Sequence, residues 1–392
     1  MTAGAVERQI PGMHASTMIR RTRVEVDLGA IVANARAVGA LAGGAEVYAV
    51  VKADGYGHGA VAVAQALTRA KAAAGFAVSL VEEGVTLREA GITAPVLVMG
   101  PSQHGGEDEM VMAGMTPVIG SAEDLDAIAA VAQRRQRSIE AHLKIDTGMG
   151  RLGVAVERAG ELATMAANNG VRLVGLMTHF ACADSDDPAD PESMTRAQLV
   201  RFAEADRAVV AAGAPVRIRH AANSSGALLF PEARFDLVRT GIAIYGNGRW
   251  PAGAAPTSAM RLVSEVAQLR TIAAGSYVGY GATWRATRDS LLAVLPVGYA
   301  DGVPRRASGH AEVAIRGVRV PLVGRISMDI ALADVTDVPG VAVGDPAVLL
   351  GRAAGGASIS VAEYGEWAGL SEYEVTCGMS KRVPRTYVGE PP

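Results

Sequence analysis

Between Val47 and Tyr245, eight short apolar segments alternate with stretches in which apolar residues recur at helical spacing. Eight successive strand–helix units are typical of a closed parallel barrel, so we predict an α/β fold of the (β/α)8 TIM-barrel type. An open, doubly wound sheet is the alternative, because periodicity does not show whether a sheet closes. The predicted strands are Val47–Val51, Gly75–Leu80, Pro95–Met99, Thr116–Ile119, Ala141–Ile145, Leu173–Thr178, Arg217–Ala221 and Asp236–Tyr245, and two of the predicted helices are Asp124–Gln136 and Thr195–Ala212.

The pattern changes at a short connector, 254–256. Short alternating segments with glycine and proline turns follow, without helices until Val361–Ala368, and they predict a C-terminal β-rich domain. We therefore expect a barrel domain at 22–253 and a β domain at 254–392. The predicted strands of the β domain are Ser264–Ile272, Leu291–Pro296, Glu312–Val323 and Val341–Leu350.

The first residues of the chain, 1–21, contain no apolar segment of the kind found in signal peptides, and we predict a disordered N-terminal extension. A strand at about 22–28 comes next. We assign this strand to the barrel domain, with membership of the β domain as the alternative. Asp27 is the predicted N-cap of the helix that follows, because apolar residues at helical spacing begin directly after it.

Composition and charge exclude several classes of partner. The chain has 37 Lys and Arg against 40 Asp and Glu, and no long basic run suggests binding to nucleic acid or to an anionic membrane. Cys182 and Cys377 are too few for a disulfide framework and show no metal-ligand spacing, so we predict no metal site. No apolar stretch reaches the roughly 18 residues that a membrane-spanning helix needs, and we expect a cytoplasmic protein.

Polar residues recur at the C-terminal ends of the predicted barrel strands, where TIM barrels carry their functional sites. Lys52 ends the first strand within AVVKADGYGHGA, and lysine is the side chain that forms Schiff bases with carbonyl cofactors. Serines and a glycine follow the last two strands, where such barrels often bind phosphate. The polar and glycine positions at these ends are Lys52, Lys144, Asp146, Arg151, His179, Asn223, Ser224, Ser225, Arg239, Gly241 and, beside them, Ile242.

Each of these residues taken singly has a purely structural interpretation. Their joint position at one end of the predicted barrel favours a functional site instead. The structural alternatives are a solvated strand-end lysine for Lys52, a core histidine for His179, a turn tyrosine for Tyr280, and ion pairs for Arg239 with Asp236 and for Lys144 with Asp146.

Ten segments, spread in order from about Val24 to Tyr387, carry a family resemblance. They are VEVDLGAI, AVVKADGYGHGA, LKIDTGMGRLG, GLMTHFACAD, HAANSSG, FDLVRTGIAIYG, GYGATW, VLPVGYADG, VGRISMD and KRVPR. The series resembles bacterial alanine racemases, which are fold-type III enzymes dependent on pyridoxal 5′-phosphate. The lysine segment and GYGATW are specific to that family, whereas HAANSSG alone would carry little weight.

The resemblance implies a role for each matching residue. Lys52 would hold pyridoxal 5′-phosphate as a Schiff base and act as the base on the D-alanine face of the substrate. Tyr280, contributed by the partner subunit, would be the base on the L-alanine face, and Arg239, supported by His179, would hydrogen-bond the pyridine nitrogen. The other implied residues hold the cofactor (Tyr56, Asn223, Ser224, Gly241, Ile242), meet the substrate carboxylate (Arg151, Met328), line the substrate entrance (Tyr299) or, when carbamylated, orient Arg151 (Lys144).

The implied reaction is the racemisation of L-alanine and D-alanine, with D-alanine supplied for peptidoglycan. A proton leaves one face of Cα and another returns to the opposite face, so two bases on opposite sides suit the reaction. The implied partners are a small amino-acid substrate and a second copy of the chain, in a homodimer with shared active sites. Neither nucleic acid nor a membrane is an expected partner.

Two departures from the family pattern concern the substrate. Ser327 replaces a common cysteine beside Met328, and Lys381 stands where a tyrosine often lies near the phosphate and the substrate gate. A racemase of another small amino acid, such as serine, therefore stays an alternative. The others are a fold-type III amino-acid decarboxylase, a binding module that handles pyridoxal phosphate without turnover, and an interaction protein without cofactor.

Overall fold

The structure is a computed structural model that describes residues 19–101 and 105–389. The chain forms two compact units. Residues 1–18 of the predicted N-terminal extension lie outside the described residues. Within the described residues, the barrel unit takes 25–260, 361–379 and 385–389, and the β unit takes 19–24, 261–360 and 380–384.

The chain passes from one unit to the other inside its first strand, after Val24, and again after Met260. The C-terminal segment 361–379, which the sequence places in the β domain, groups with the barrel unit. The domain limits 22–253 and 254–392 stay a prediction from sequence.

The barrel unit contains eight parallel strands, which confirms the predicted TIM-barrel class. The first ten strands of the chain are β1 (Arg23–Asp27), β2 (Glu46–Val50), β3 (Gly75–Val78), β4 (Val96–Val98), β5 (Thr116–Ile119), β6 (Ile139–Asp146), β7 (Val154–Ala155), β8 (Val171–Met177), β9 (Ile218–His220) and β10 (Leu237–Thr240). All of them except β1 and β7 form the barrel. The barrel order is β10-β2-β3-β4-β5-β6-β8-β9, with β7 attached to β6. Backbone N–H groups of Asp236 and Arg239 donate to the oxygens of Arg219 and Ala222 at 3.1 and 3.0 Å, which brings β9 and β10 together.

Helices connect these strands and cover the barrel. The helices are α1 (Leu28–Leu41), α2 (Ala60–Arg69), α3 (Val81–Glu89), α4 (Glu107–Met112), α5 (Ala122–Arg135), α6 (Ala159–Asn168), α7 (Met194–Ala211), α8 (Ser224–Leu229), α9 (Val361–Ala368) and α10 (Glu372–Cys377). The Asp27 side chain accepts the N–H of Ala30 at 2.8 Å, so the predicted N-cap of α1 is confirmed. Ile31, Ala35 and Val38 of α1 are buried at i, i+4 and i+7, the spacing that a helix packed on a sheet requires.

The strands that follow Met260 pair in antiparallel fashion. They are β11 (Met260–Glu265), β12 (Gln268–Ile272), β13 (Tyr277–Val278), β14 (Trp284–Arg285), β15 (Ser290–Leu295), β16 (Glu312–Ile315), β17 (Val318–Pro321), β18 (Ala331–Asp334), β19 (Pro346–Arg352) and β20 (Ser358–Ile359), before β21 (Arg385–Val388) in the barrel unit. In the β unit, β17-β16-β19-β11 and β12-β15-β18 are sheet neighbours, and β13 pairs with β14.

Two predicted strands of the β unit are each two strands in the structure. The predicted strand Ser264–Ile272 breaks because Val266 N–H donates to Asp345 O whereas Ala267 N–H donates to Val294 O, so the chain changes partner there. The predicted strand Glu312–Val323 is a hairpin, since Arg316 and Gly317 have φ angles of 51° and 77° and reverse the chain.

Candidate active site

The C-terminal ends of the barrel strands bring four cationic side chains around one imidazole. His179 follows β8 and is partly buried. Desolvation lowers its pKa well below the usual value, and the charges of Arg239, Arg151, Lys144 and Lys52 lower it further. An imidazole placed among four cations stays neutral. The sequence prediction that these residues meet at one end of the barrel is therefore supported by their mutual electrostatic effects.

Lys52 is followed by an unusual stretch of backbone. Ala53, Asp54 and Gly55 have φ and ψ angles near +50 to +63° and +42 to +49°, and Tyr56 and Gly57 also have positive φ. This left-handed turn, Ala53–Gly57, costs roughly 1–2 kcal/mol for each residue that carries a Cβ atom. Three of its five residues, Ala53, Asp54 and Tyr56, are not glycine.

Arg239 lies in the barrel interior at the end of β10 and is 2% exposed. Its Nη1 donates to His220 Nδ1 at 2.6 Å, and its Nη2 donates to the backbone oxygens of Thr178 at 2.7 Å and Ala221 at 3.1 Å. His179 Nδ1 is more distant from Nη2, at 3.5 Å. Burial lowers the pKa of this guanidinium to about 9, so it stays charged at neutral pH.

The structural ion pair between Arg239 and Asp236 is not formed. The Asp236 carboxylate instead accepts the backbone N–H of Arg219 at 2.7 Å, at the start of β9. No carboxylate contacts Arg239 among the residues that the structure describes. Its positive charge is therefore held by neutral acceptors alone, which leaves that charge available to a ligand.

Sequence reasoning missed His220, which contacts Arg239, and His142, which contacts His220. His142 Nδ1 and His220 Nε2 are 2.7 Å apart, and both rings are buried. Because Arg239 can only donate, His220 accepts on Nδ1 and donates from Nε2 to His142. Burial lowers the pKa of both imidazoles, that of His142 to about 4. One signal was present in the sequence: His142 precedes Lys144 by two residues and so shares its face of β6.

The Nε atom of Arg239 is buried and has no hydrogen-bond partner in the described part of the chain. A buried N–H without an acceptor costs about 1–3 kcal/mol, so an acceptor on a ligand would be favoured there. The nitrogen of a pyridine ring is such an acceptor. The residues present therefore fit the ring of pyridoxal phosphate at this point.

A second group of predicted residues converges where β10 ends. Ser224 Oγ accepts the backbone N–H groups of Gly241 at 3.0 Å and Ala243 at 3.3 Å. A Cβ atom on Gly241 would overlap the Tyr56 hydroxyl and lie 2.7 Å from Tyr56 Cζ, so this glycine keeps space beside the phenol. Tyr56, Ser224, Gly241 and the buried Ile242 thus lie together as a small polar cradle.

The predicted eighth strand was too long, because Gly241 and Ile242 follow β10 rather than lying within it. The backbone turns there: the N–H groups of Gly241 and Ala243 donate to Ser224 instead of to a neighbouring strand. Asn223 serves as the N-cap of α8, with its Oδ1 accepting the N–H of Gly226 at 2.9 Å.

Lys144 and Asp146 do not form the ion pair that the sequence left open. The Asp146 carboxylate accepts the backbone N–H groups of the loop Gly148–Gly150, at 2.9 to 3.1 Å, and so shapes the segment before Arg151. Lys144 is buried; burial lowers its pKa to about 8, with Arg151 and Arg239 adding to the effect.

Three predicted site residues lie on neighbouring turns of the β unit. Tyr299 N–H donates to Ser327 O at 3.0 Å and Ala300 N–H to Met328 O at 3.1 Å, which joins the turns that carry Tyr299 and Met328. Tyr280 follows Gly279, which approaches the backbone of Arg325. Tyr280, Tyr299 and Met328 are 72%, 40% and 52% exposed, so all three side chains are accessible on the β unit.

Over residues 19–101 and 105–389, no cluster of three or more His, Cys, Asp or Glu side chains is placed to hold a metal ion. None of the helices described there has the length and apolar character to cross a membrane.

Known proteins resemble the chain over nearly its full length. The family model "Alanine racemase, N-terminal domain" matches residues 26–248, and "Alanine racemase, C-terminal domain" matches 259–387. The alanine racemase of Sorangium cellulosum is 42% identical over 94% of this chain and 99% of its own. That of Symbiobacterium thermophilum is 43% identical over 95% of this chain and 98% of its own.

Solved structures of alanine racemases also resemble this chain over nearly its full length. The alanine racemase from D-cycloserine-producing Streptomyces lavendulae has a TM-score of 0.88 at 35% identity, over 95% of this chain and 98% of that one. The alanine racemase of Bartonella henselae, solved with covalently bound pyridoxal phosphate, has a TM-score of 0.84 at 29% identity, over 94% of this chain and 99% of that one. With both family models matched in order, the expected family is confirmed: the chain belongs to the alanine racemase family.

Proposed function

We propose that the protein racemises alanine with pyridoxal 5′-phosphate, using Lys52 and Tyr280 as bases on opposite faces of the substrate Cα. The observation that carries the proposal is the buried Arg239, whose Nε–H has no acceptor among the described residues and which lies at the same strand ends as Lys52. Membership of the alanine racemase family supports the reaction and its substrate. The D-alanine formed would supply peptidoglycan synthesis.

When bound, pyridoxal phosphate supplies an electron sink that makes the Cα proton of the attached amino acid acidic. Arg239 would donate its Nε–H to the ring nitrogen. A guanidinium does not give up its proton, so the ring nitrogen would receive a hydrogen bond and no full proton. The neutral pair His142 and His220 fixes the guanidinium plane through the 2.6 Å contact with Nη1. We expect this arrangement to restrain the electron sink and to suppress side reactions.

Lys52 and Tyr280 would each exchange one proton with Cα. In the direction from L-alanine, Tyr280 Oη accepts the proton from one face and Lys52 Nζ delivers a proton to the other. In the reverse direction, the two groups exchange roles, and no net proton is gained or lost. A tyrosine can accept that proton only as a phenolate, which nearby positive charge would stabilise.

The cradle at the end of β10 would hold the phosphate. Tyr56 lies against Gly241, whose N–H donates to Ser224 Oγ, and Ile242 is the next residue. Asn223 fixes the start of α8. Burial raises the pKa of Tyr56 well above its usual value, so its phenol stays protonated and able to donate to a phosphate oxygen. Tyr56 is fixed in turn by Tyr245, whose ring centroid lies 5.2 Å away.

The substrate carboxylate would be met by Arg151 and Met328, with Tyr299 at the entrance. Lys144, carbamylated on its amine, would orient Arg151. Its lowered pKa of about 8 raises the share of neutral amine, which attacks carbon dioxide, forms an N–C bond and releases a proton to solvent. The carbamate formed would be an anion able to pair with the Arg151 guanidinium.

A homodimer would bring Tyr280 of one chain to Lys52 of the other. The β unit exposes several large apolar side chains on or beside its neighbouring turns: Tyr277, Tyr280, Met328 and Ile330. Exposed apolar side chains that are close together are typical of a protein interface.

Mixing Lys52→Ala chains with Tyr280→Phe chains would then create one intact site and restore part of the activity. Demonstrated mixed dimers without activity would contradict a shared site.

The proposed function is tested by incubating the loaded protein with single enantiomers of alanine and serine in deuterated water. We expect loss of optical activity and deuterium at Cα for alanine, with no release of carbon dioxide. Lys52→Ala should lose the exchange, whereas Tyr280→Phe should lose it mainly from L-alanine. Faster turnover of serine would reassign the substrate, and carbon dioxide release would indicate a decarboxylase.

A further inference from the structure

The left-handed turn Ala53–Gly57 begins at the residue directly after Lys52, so its conformation sets the direction of the lysine side chain. Ala53, Asp54 and Tyr56 adopt positive φ although each carries a Cβ atom. L-residues leave this conformation unless neighbouring groups hold them in it. The contacts that hold the turn therefore also hold Lys52.

The carboxylate of Glu83 is bound to the first peptide of this turn. Glu83 Oε2 accepts the N–H groups of Ser79 and Leu80 at 2.9 and 3.0 Å, which caps the start of α3. Glu83 Oε1 accepts the N–H of Ala53 at 2.6 Å. A capping glutamate needs only the contacts that Oε2 makes. The contact of Oε1 with Ala53 is made outside α3 and joins the loop after β3 to the loop after β2.

The other end of the turn is held by groups from within AVVKADGYGHGA and by Arg385, whose Nε donates to the backbone oxygen of Gly57 at 3.2 Å. The Asp54 carboxylate accepts the N–H of Ala60 at 2.9 Å, at the start of α2. His58 Nδ1 lies 3.0 Å from the backbone oxygens of Gly55 and Tyr56, and the His58 ring stacks on Tyr245 at 4.3 Å. Glu83 is thus the side chain from another loop whose contact with the turn lies next to Lys52.

We propose that Glu83 is a positioning residue for Lys52: by binding the Ala53 N–H, it keeps the left-handed turn in place and aims the lysine amine at the cofactor. The proposal rests on the proposed function, in which Lys52 carries pyridoxal phosphate. Glu83 itself contacts neither cofactor nor substrate in this assignment. A carboxylate is required because both of its oxygens accept, whereas a glutamine amide offers one acceptor and one NH2 group.

The test compares Glu83→Gln with Glu82→Gln in the full-length chain. Glu82 is the neighbouring exposed residue on α3, and within the described residues no hydrogen bond joins its side chain to the turn. Its variant therefore controls for the loss of one negative charge. Pyridoxal phosphate is added to cofactor-stripped protein, and its attachment is followed by visible absorbance. Attachment joins Lys52 Nζ to the aldehyde carbon by a C=N bond and releases one water. Borohydride reduction and peptide mass spectrometry identify the modified lysine.

We expect attachment in Glu83→Gln to be at least about tenfold slower than in wild type, because the Ala53 N–H loses a charged acceptor. Glu82→Gln should match wild type. Attachment by Glu83→Gln at the wild-type rate would overturn the proposal. If wild type itself does not attach the cofactor at Lys52, the proposed function fails instead, so the two failures are distinguishable.

A rescue variant separates positioning of Lys52 from simple capping of α3. Glycine adopts positive φ without a Cβ penalty, so Ala53→Gly should reduce the need for Glu83. We expect Ala53→Gly combined with Glu83→Gln to attach the cofactor roughly threefold faster than Glu83→Gln alone. Loss of the α3 cap would not be repaired by a change at residue 53. No recovery in the double variant would therefore assign Glu83 a capping role only.

Discussion

At the level of single residues, Gly241 shows how closely the proposed phosphate cradle is packed. A Cβ atom there would overlap the Tyr56 hydroxyl, so we expect Gly241→Ala to displace the phenol and weaken pyridoxal phosphate binding by about tenfold or more. An absorbance titration of the cofactor-free protein measures the dissociation constant. Gly39→Ala is the control, since its Cβ would meet only Val47 Cγ2, at 3.8 Å. Equal affinities in the two variants would show that the cradle does not bind the phosphate.

The sequence located the cationic residues of the site but not the groups that hold them. Lys52, Lys144 and Arg239 could be placed because a strand end can be found from apolar run length and from alternation. The partners of Arg239 depend instead on which side chains face each other across β6, β8 and β9. His220 contacts the guanidinium because neighbouring strands are paired in a particular register. The local sequence pattern of a single strand does not determine that register.

At the level of elements, the barrel was predictable and the turn after Lys52 was not. Most of the eight barrel strands are apolar and buried on both faces, which gives a repeated signal that does not depend on exact strand ends. In Ala53–Gly57, local preference argues against positive φ at Ala53 and Tyr56. Contacts from Glu83 and His58 override that preference, and both come from tertiary or medium-range geometry. At functional sites, the backbone conformation often departs in this way from the one that the local sequence prefers.

Asp301 holds separate segments of the β unit together. Its side chain is fully buried and accepts from Arg382 Nε at 2.7 Å and Arg20 Nη1 at 2.9 Å, while its backbone oxygen accepts the N–H of Ser380 at 3.2 Å. It thus joins the turn that carries Tyr299 to two distant segments of the chain.

Replacing Asp301 tests this anchor. Asp301→Asn removes the charge that both guanidinium groups share, and we expect the free energy of unfolding to fall by about 3 kcal/mol. Urea denaturation measures the change. The matched control is Asp337→Asn, which breaks an exposed pair with Arg288 and should lower the free energy of unfolding far less than Asp301→Asn does. Similar losses in both variants would mean that Asp301 contributes no more than a surface ion pair.

At the level of the whole molecule, burial of neutral imidazoles links stability to pH. His58, His142 and His220 are buried and His179 is partly buried. Desolvation lowers the pKa of each below its usual 6.5, to about 4 for His58 and His142. Unfolding exposes these rings to water, where they take up protons at higher pH than in the folded chain. The unfolded chain therefore binds more protons than the folded chain across the interval from about 6.5 down to about 4.

Because the unfolded state binds the extra protons, the free energy of unfolding must rise with pH through this interval and level off above about 6.5. Each histidine contributes a slope of at most about 1.4 kcal/mol per pH unit. Urea denaturation of the full chain at a series of pH values measures that slope. His58→Phe keeps a ring stacked on Tyr245 but removes one titrating group, so we expect its slope to be smaller by up to that amount. If stability is flat between about pH 5 and 6.5, the buried histidines do not stay neutral in the folded chain.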